Sequence, residues 1–216
     1  MAINPGKVVF CIFLVIILLS SFVCAKEIPL KGFQDGTVGQ YVAYFQEAKQ
    51  LSFEQAKKKF EQQQTKQGSS NSISLGIGTS PVWMMFSVNN GNKLSQPYFL
   101  SIETPWLDNI EAWIVRDNKL ERHVIGGDAI PFYERPMQDR FFTFLHPFGV
   151  GITQVYIRVA TDGPMAIPIR LIDEKSMQQR KIKTGYEYGF LYGVMFALAL
   201  YNLVLFSIIK QKEYGL

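Results

Sequence analysis

The chain has 216 residues, 48% hydrophobic and 14% aromatic, with a formal charge of +4. That length accommodates one domain of ordinary size plus membrane segments. The basic residues are scattered or flank apolar runs, so no nucleic-acid surface is marked, and the two cysteines, Cys11 and Cys24, both fall in the first 25 residues, leaving no disulfide or thiol chemistry beyond them.

At the N-terminus Lys7 precedes an uninterrupted apolar stretch, Val8 to Leu19, and Val23 and Ala25 occupy the small-residue positions before a cut. This is the pattern of a secretory signal peptide over 1–25. The bulky Phe22 and Val23 ahead of Cys24 fit lipoprotein processing badly. Export places residues 26–175 outside the inner membrane, in the periplasm. The exported part opens with a strand expected over Gly39–Phe45. Ser52 and Gln55 then form a capping-box pattern ahead of a short helix whose Phe53, Ala56 and Phe60 share one side. Lys57 to Lys59 read as its solvated face, and Thr65–Ser72 as a loop.

From Ser74 the period becomes two. Val82, Met84, Phe86 and Val88 alternate with Trp83, Met85, Ser87 and Asn89. The same alternation runs through Tyr98–Glu103, Ile110–Val115 and Val155–Ala160. Asp117-Asn118 marks a tight turn into Lys119–Ile125, because Asn and Asp tolerate positive φ. Phe141–Leu145 reads as a further strand. Met165–Leu171 reads as the last one, with Pro168 marking an edge or a bulge. Eight or nine short strands without interleaved helices predict a mainly β, jelly-roll-like antiparallel β-sandwich with one short helix. Trp83 and Trp113 lie opposite the cleaner apolar set of their strands. Two readings follow: a stacking platform for a sugar, or a face covered by the Phe53–Phe60 helix.

Gly126–Arg140, GGDAIPFYERPMQDR, carries the densest chemistry. Its glycines and prolines hold it out of regular structure. Asp128, Tyr133, Glu134, Arg135 and Arg140 are its candidate ligand contacts; the other reading pairs the arginines with the acids as a structural lock. His123 and His146 show no metal-ligand spacing and read as surface histidines. No nucleophile elbow or phosphate-cradling loop appears. Asp128 with Glu134 or Asp139 is the one acid pair reminiscent of a glycosidase, and carboxylates beside arginines stay ionised. The sequence therefore predicts no catalytic residue, no metal and no cofactor.

After a connector over 176–185, Tyr186–Ile209 is apolar save for Glu187 and Asn202. At about 1.5 Å per residue it spans roughly 36 Å, enough to cross a hydrocarbon core of about 30 Å. Tyr186, Tyr188 and Tyr192 suit the headgroup layer. Gly185, Gly189, Gly193 and Ala197 form a small-residue ridge for a close helix neighbour, and Asn202 projects from another face. Two faces unsuited to lipid call for several helical neighbours, supplied by other chains or by a longer receptor of which this is the front part. Lys210 and Lys212 then face the cytoplasm.

Several of these pieces together resemble the bacterial seven-transmembrane receptors with diverse intracellular signalling modules, in particular their type 2 extracellular domain. They are Ser80-Pro81-Val82-Trp83, the Asp108–Arg116 strand, Gly127-Asp128 followed by Pro131-Phe132-Tyr133-Glu134-Arg135-Pro136, Arg140-Phe141-Phe142-Thr143-Phe144 and Tyr156-Ile157-Arg158-Val159. Tyr188-Gly189, Tyr192-Gly193 and Leu200-Tyr201-Asn202-Leu203 resemble the first helix of that family's bundle. The resemblance covers about residues 38–216. It implies a jelly-roll-like periplasmic domain that binds carbohydrate or another small ligand, a seven-helix bundle and a cytoplasmic output such as a diguanylate cyclase or histidine kinase. The chain departs from the pattern in carrying one of seven helices, no output domain, and Asp139 where His is expected. The sequence-level alternatives are a tethered carbohydrate-binding module without signalling and a periplasmic glycosidase.

Overall fold

The computed structural model describes residues 27–209. The signal peptide expected over 1–25, and Lys210 and Lys212, lie outside the described residues. Thirteen strands are present among these residues, more than the eight or nine expected, because several are two to four residues long. They are β1 (Ile28–Pro29), β2 (Asp35–Thr37), β3 (Ala43–Gln46), β4 (Lys66–Gln67), β5 (Ile73–Ile77), β6 (Val82–Asn90), β7 (Gln96–Ile102), β8 (Asn109–Arg116), β9 (Lys119–Gly126), β10 (Phe142–Phe148), β11 (Gly151–Ala160), β12 (Pro164–Ile167) and β13 (Ile169–Asp173), with helices α1 (Phe53–Glu61) and α2 (Glu174–Ile209).

Two sheets face each other. The larger has the order β4-β3-β6-β11-β8-β9, with β1 pairing β6 in parallel; the smaller has the order β10-β7-β13-β2. The other pairings are antiparallel, and β5 with β12 forms a separate ribbon. The period-two sets fall where expected: Val82, Met84, Phe86, Val88, Leu100, Ile102, Ile110, Ala112, Ile114, Val155, Ile157 and Val159 form the core between the sheets. Each of these side chains other than Ala112 contributes on the order of 1.5–3 kcal/mol by its burial.

The turn at Asp117-Asn118 has φ of 50° and 58°, the double left-handed conformation that joins twisted antiparallel strands. The Ser52–Gln55 capping box is present in full. The strand expected over Gly39–Phe45 is a 3₁₀ turn, Gly39–Tyr41, followed by β3. Thr65–Ser72 includes β4, which pairs with the edge of β3. The single strand expected over Met165–Leu171 is two. Pro168 separates β12, in the ribbon, from β13, in the smaller sheet. A residue without an N–H cannot continue a ladder, so the chain changes sheets there.

The outer face of the larger sheet is closed by α1. Trp83, Trp113, Val115 and Tyr156 pack with Phe45, Ala56 and Phe60 in a second apolar cluster. The Phe53 ring stacks on Trp113 at 5.2 Å, and Trp113 stacks on Trp83 at 5.1 Å. Trp83 and Trp113 are 1% and 8% exposed. A ring in that position has no free face for a sugar, and the covering helix explains why both tryptophans occupy the outward register.

Candidate functional site

The long helix determines where the site lies. Its first turn is seeded by Asp173, whose carboxylate accepts from the Ser176 amide at 2.7 Å, an N-cap contact. The segment expected as a connector, 176–185, is helical, so sheet and membrane-competent helix are joined without a flexible break. β13 and α2 run in opposite directions. The helix starts beside Tyr98, the register partner of Asp173, and passes back along the outer face of the smaller sheet. Met177 is buried beside it. At Arg180 it has reached Glu103, just past the end of β7, where the guanidinium sits 2.7 Å from the carboxylate. At Tyr188 it meets Arg140, whose Nη1 is 3.5 Å from the phenol oxygen.

Between sheet and helix lies a cleft of about 520 Å³. Ser101, Glu103 and Ile172 form its floor. Gln138, Asp139, Arg140 and Phe141 form one wall, and Met177, Arg180, Lys181, Thr184 and Tyr188 the other. Its polar groups are graded in freedom. Glu103 already binds Arg180 and, at 3.1 Å, Arg170, which also holds Asp35 at 2.8 Å. Burial opposes the charge of Arg170, but the Asp35 and Glu103 carboxylates outweigh it and hold its pKa above the ordinary value. Ser101 is tied to Thr143 at 2.9 Å. Arg140 lies over the Phe141 ring, 4.4 Å from its centroid, an orientation that leaves guanidinium edges for an acceptor.

The structure divides the sequence-derived candidates. Arg140 lines the cleft. Arg135 belongs to the lock reading: its Nη2 is 3.3 Å from Asp128, its Nε donates to the Ile130 carbonyl at 3.2 Å, and it lies over Phe132. Gly127 is indispensable to that lock. It has φ of +117°, and a Cβ there would overlap the Asp108 carbonyl oxygen. Tyr133 and Glu134 are exposed on the loop's outer side. Trp83 and Trp113 are under α1, on the other sheet. The cleft residues Glu103, Arg180 and Lys181 escaped sequence reasoning because nothing in periodicity shows a helix doubling back over its own strand.

The histidines part company. His123 is exposed and stacks on Trp113 at 4.7 Å. His146 corrects the surface reading: it is 4% exposed, inside β10, with its ring edge-on to Phe148 at 4.8 Å. It shares the inward register of Phe142, Phe144 and Phe148, and the following Pro147 did not break the strand. Burial pushes its pKa below the usual value. Glu121, 3.3 Å away, opposes that shift, and Arg122 and Arg116 reinforce it.

Beneath α1 is the most buried charge among the described residues. Glu47, 3% exposed, accepts from Arg158 at 2.8 and 3.2 Å, from Trp83 at 3.3 Å and from the Leu51 amide. Burial raises its pKa, but these donors prevail and hold the carboxyl below the ordinary range. Its hydrogen-bonding capacity is taken up by these partners, so this is a clamp between β3, β6 and β11 rather than a binding site. On the long helix, a Cβ added at Gly185, Gly189 or Gly193 would meet nothing within 4 Å, and Asn202 donates to the Leu198 carbonyl at 3.0 Å within the helix.

A family model described as 7TMR-DISM extracellular 2 matches residues 39–173. Among solved structures, a GH26-CBM35 beta-(1,4)-mannanase from Podospora anserina is 14% identical with a TM-score of 0.26, over 49% of this chain and 25% of that one. CsCBM6-3 from Clostridium stercorarium, in complex with cellobiose, is 9% identical with a TM-score of 0.26, over 49% of this chain and 85% of that one. The match thus spans a quarter of the mannanase's length. No curated protein matches the chain.

Proposed function

The chain belongs to the 7TMR-DISM extracellular 2 family, and from that premise we propose that it is the periplasmic sensor head of an inner-membrane receptor, taking a carbohydrate or another small polar ligand in the cleft between the smaller sheet and α2. The observation that carries this reading is the shared wall: Arg140 of the head and Arg180 and Tyr188 of the helix line one cavity. A ligand accepting from Arg140 and replacing Glu103 on Arg180 would bind unequally to a helix pose that keeps the Glu103–Arg180 contact and to one that has released it, which is the requirement for moving any conformational equilibrium. The helix is continuous from Glu174, so a change at its first turns is carried along a rigid rod. Its small-residue ridge, Gly185, Gly189, Gly193 and Ala197, and Asn202 are the groups by which it would pack among the other helices of the receptor.

The test is a saccharide and organic-acid panel titrated calorimetrically onto the chain in lipid nanodiscs. Arg140→Ala is expected to weaken a hit by about tenfold or more, the worth of one charge-assisted hydrogen bond. Hydrogen exchange at 174–184 is expected to change when the ligand binds. Undiminished binding in Arg140→Ala overturns the site. Binding that leaves 174–184 unaltered favours a tethered binding module without signalling.

A further inference from the structure

We infer that the sandwich end carrying Trp106, Phe132 and Tyr133 rests on the outer surface of the bilayer, with those rings in the headgroup layer; this builds on the reading of α2 as a membrane-crossing helix. Strand register fixes which end this is. β7 ends there at Ile102 and β10 begins there at Phe142, β8 begins there at Asn109 and β9 ends there at Gly126, and the Phe142 ring packed against Gly126 joins the two sheets at that end. α2 leaves past the same end, because Arg180 is level with Glu103 and Tyr188 with Arg140. Tyr188 and Tyr192 stack on each other at 6.2 Å on the helix surface, at the start of its apolar run, the level at which amphipathic rings meet headgroups.

The loop beside Arg140 is therefore at the same height as the helix's entry into lipid. Phe132 is 52% exposed, Tyr133 74% and Trp106 49%. They form one region: Arg135 lies over Phe132, and Arg135 and Arg140 share a crevice with Pro105 and Leu107, the neighbours of Trp106. The Trp106 Nε1 is satisfied by the Pro164 carbonyl at 3.0 Å, which holds the indole in place while the residue stays half exposed. Single exposed aromatics need no explanation. Three, on the end from which a membrane helix emerges and beside the exposed Arg140, match an interfacial anchor. A head held at two points, by the helix and by this rim, would tilt rather than swivel when the cleft fills.

The test uses the full chain in nanodiscs, with Cys11 and Cys24 replaced by Ser and single spin labels at Phe132→Cys, Tyr133→Cys, Leu94→Cys and Phe196→Cys. Leu94, 73% exposed, precedes β7 at the opposite end. The ratio of oxygen to nickel-chelate collision rates is expected to be several-fold higher at 132 and 133 than at 94, and highest at 196. On the unlabelled chain, lipids brominated near the headgroup are expected to quench Trp106, with the quenching lost in Trp106→Phe and the buried Trp83 and Trp113 unaffected. Labels at 132 and 133 as aqueous as at 94 overturn the inference, even when 196 lies in lipid. So do labels at 132 and 133 that are immobilised by a protein partner and shielded from both quenchers. An aqueous label at 196 overturns the membrane-crossing reading itself.

Discussion

Glu103→Gln should loosen the start of the long helix without loosening the sandwich. Among the cleft's acids, Glu103 is the one that joins the two: one oxygen takes Arg180 of α2 at 2.7 Å, the other Arg170 of β13 at 3.1 Å. Arg170 retains Asp35 at 2.8 Å when the charge is lost, so the sheet keeps its own pair and the deficit falls on Arg180. Charge-assisted hydrogen bonds are worth about 1.5–3 kcal/mol, and fully exposed ion pairs about 0.2–1 kcal/mol. Arg180 is 39% exposed at its side chain and Glu103 17%, which discounts the contact to about 1–1.5 kcal/mol. That corresponds to roughly tenfold more frequent opening of the first helical turns. Met177 anchors those turns by burial, a single side chain, so no large apolar surface masks the effect. Native-state hydrogen exchange reads it directly: amides of 178–184 should exchange about tenfold faster, while β6 and β11 stay unchanged. Arg180→Met should do the same, and the double variant should add little. Equal acceleration throughout the sandwich, or none at 178–184, refutes the assignment of Glu103 as the tie between head and helix.

Other outcomes follow from the same geometry. Gly127→Ala should destabilise the domain beyond the ~1–3 kcal/mol of a forbidden dihedral, because its Cβ would also collide with the Asp108 carbonyl; the denaturation midpoint reports it. Phe53→Ala should cost about 2 kcal/mol, less than the ~3–5 kcal/mol of a fully buried ring, and should red-shift tryptophan emission as Trp113 loses its cover. His146 has a folded pKa below its unfolded value of 6.5, so between the two the unfolded chain holds more protons and stability rises with pH. Its contribution is whole above about pH 6.5 and is lost as pH falls through the folded value. Denaturation midpoints at pH 7.5 and 5.5 should therefore differ less in His146→Gln than in the parent, and an equal difference in both would remove His146 as the cause.

Much of the sandwich was legible because a half-buried strand repeats every two residues. The inward sets of β6, β8 and β11, the Asp117-Asn118 turn and the Ser52–Gln55 cap each depend on neighbours close in sequence. The misread elements depend on distant ones. His146 next to Pro147 has the local appearance of a turn, yet seven consecutive register partners on β7 keep it in a strand and in the core. Pro168 was legible as an interruption, but not that β12 and β13 would join different sheets. The dense charge of Gly126–Arg140 suggested one cluster. Side-chain geometry splits it into a lock around Arg135 and a cleft contact at Arg140.

By itself, then, the order of residues determined a two-layer β domain ahead of an apolar helix of bilayer length, because burial period and helix length are properties of contiguous chain. Only the tertiary structure decided that the helix doubles back along the smaller sheet, and with it the position of the cleft and the end of the sandwich past which the helix leaves. That reversal depends on Asp173 capping, Met177 burial and the Glu103–Arg180 contact, whose partners lie up to 77 residues apart and leave no periodic trace.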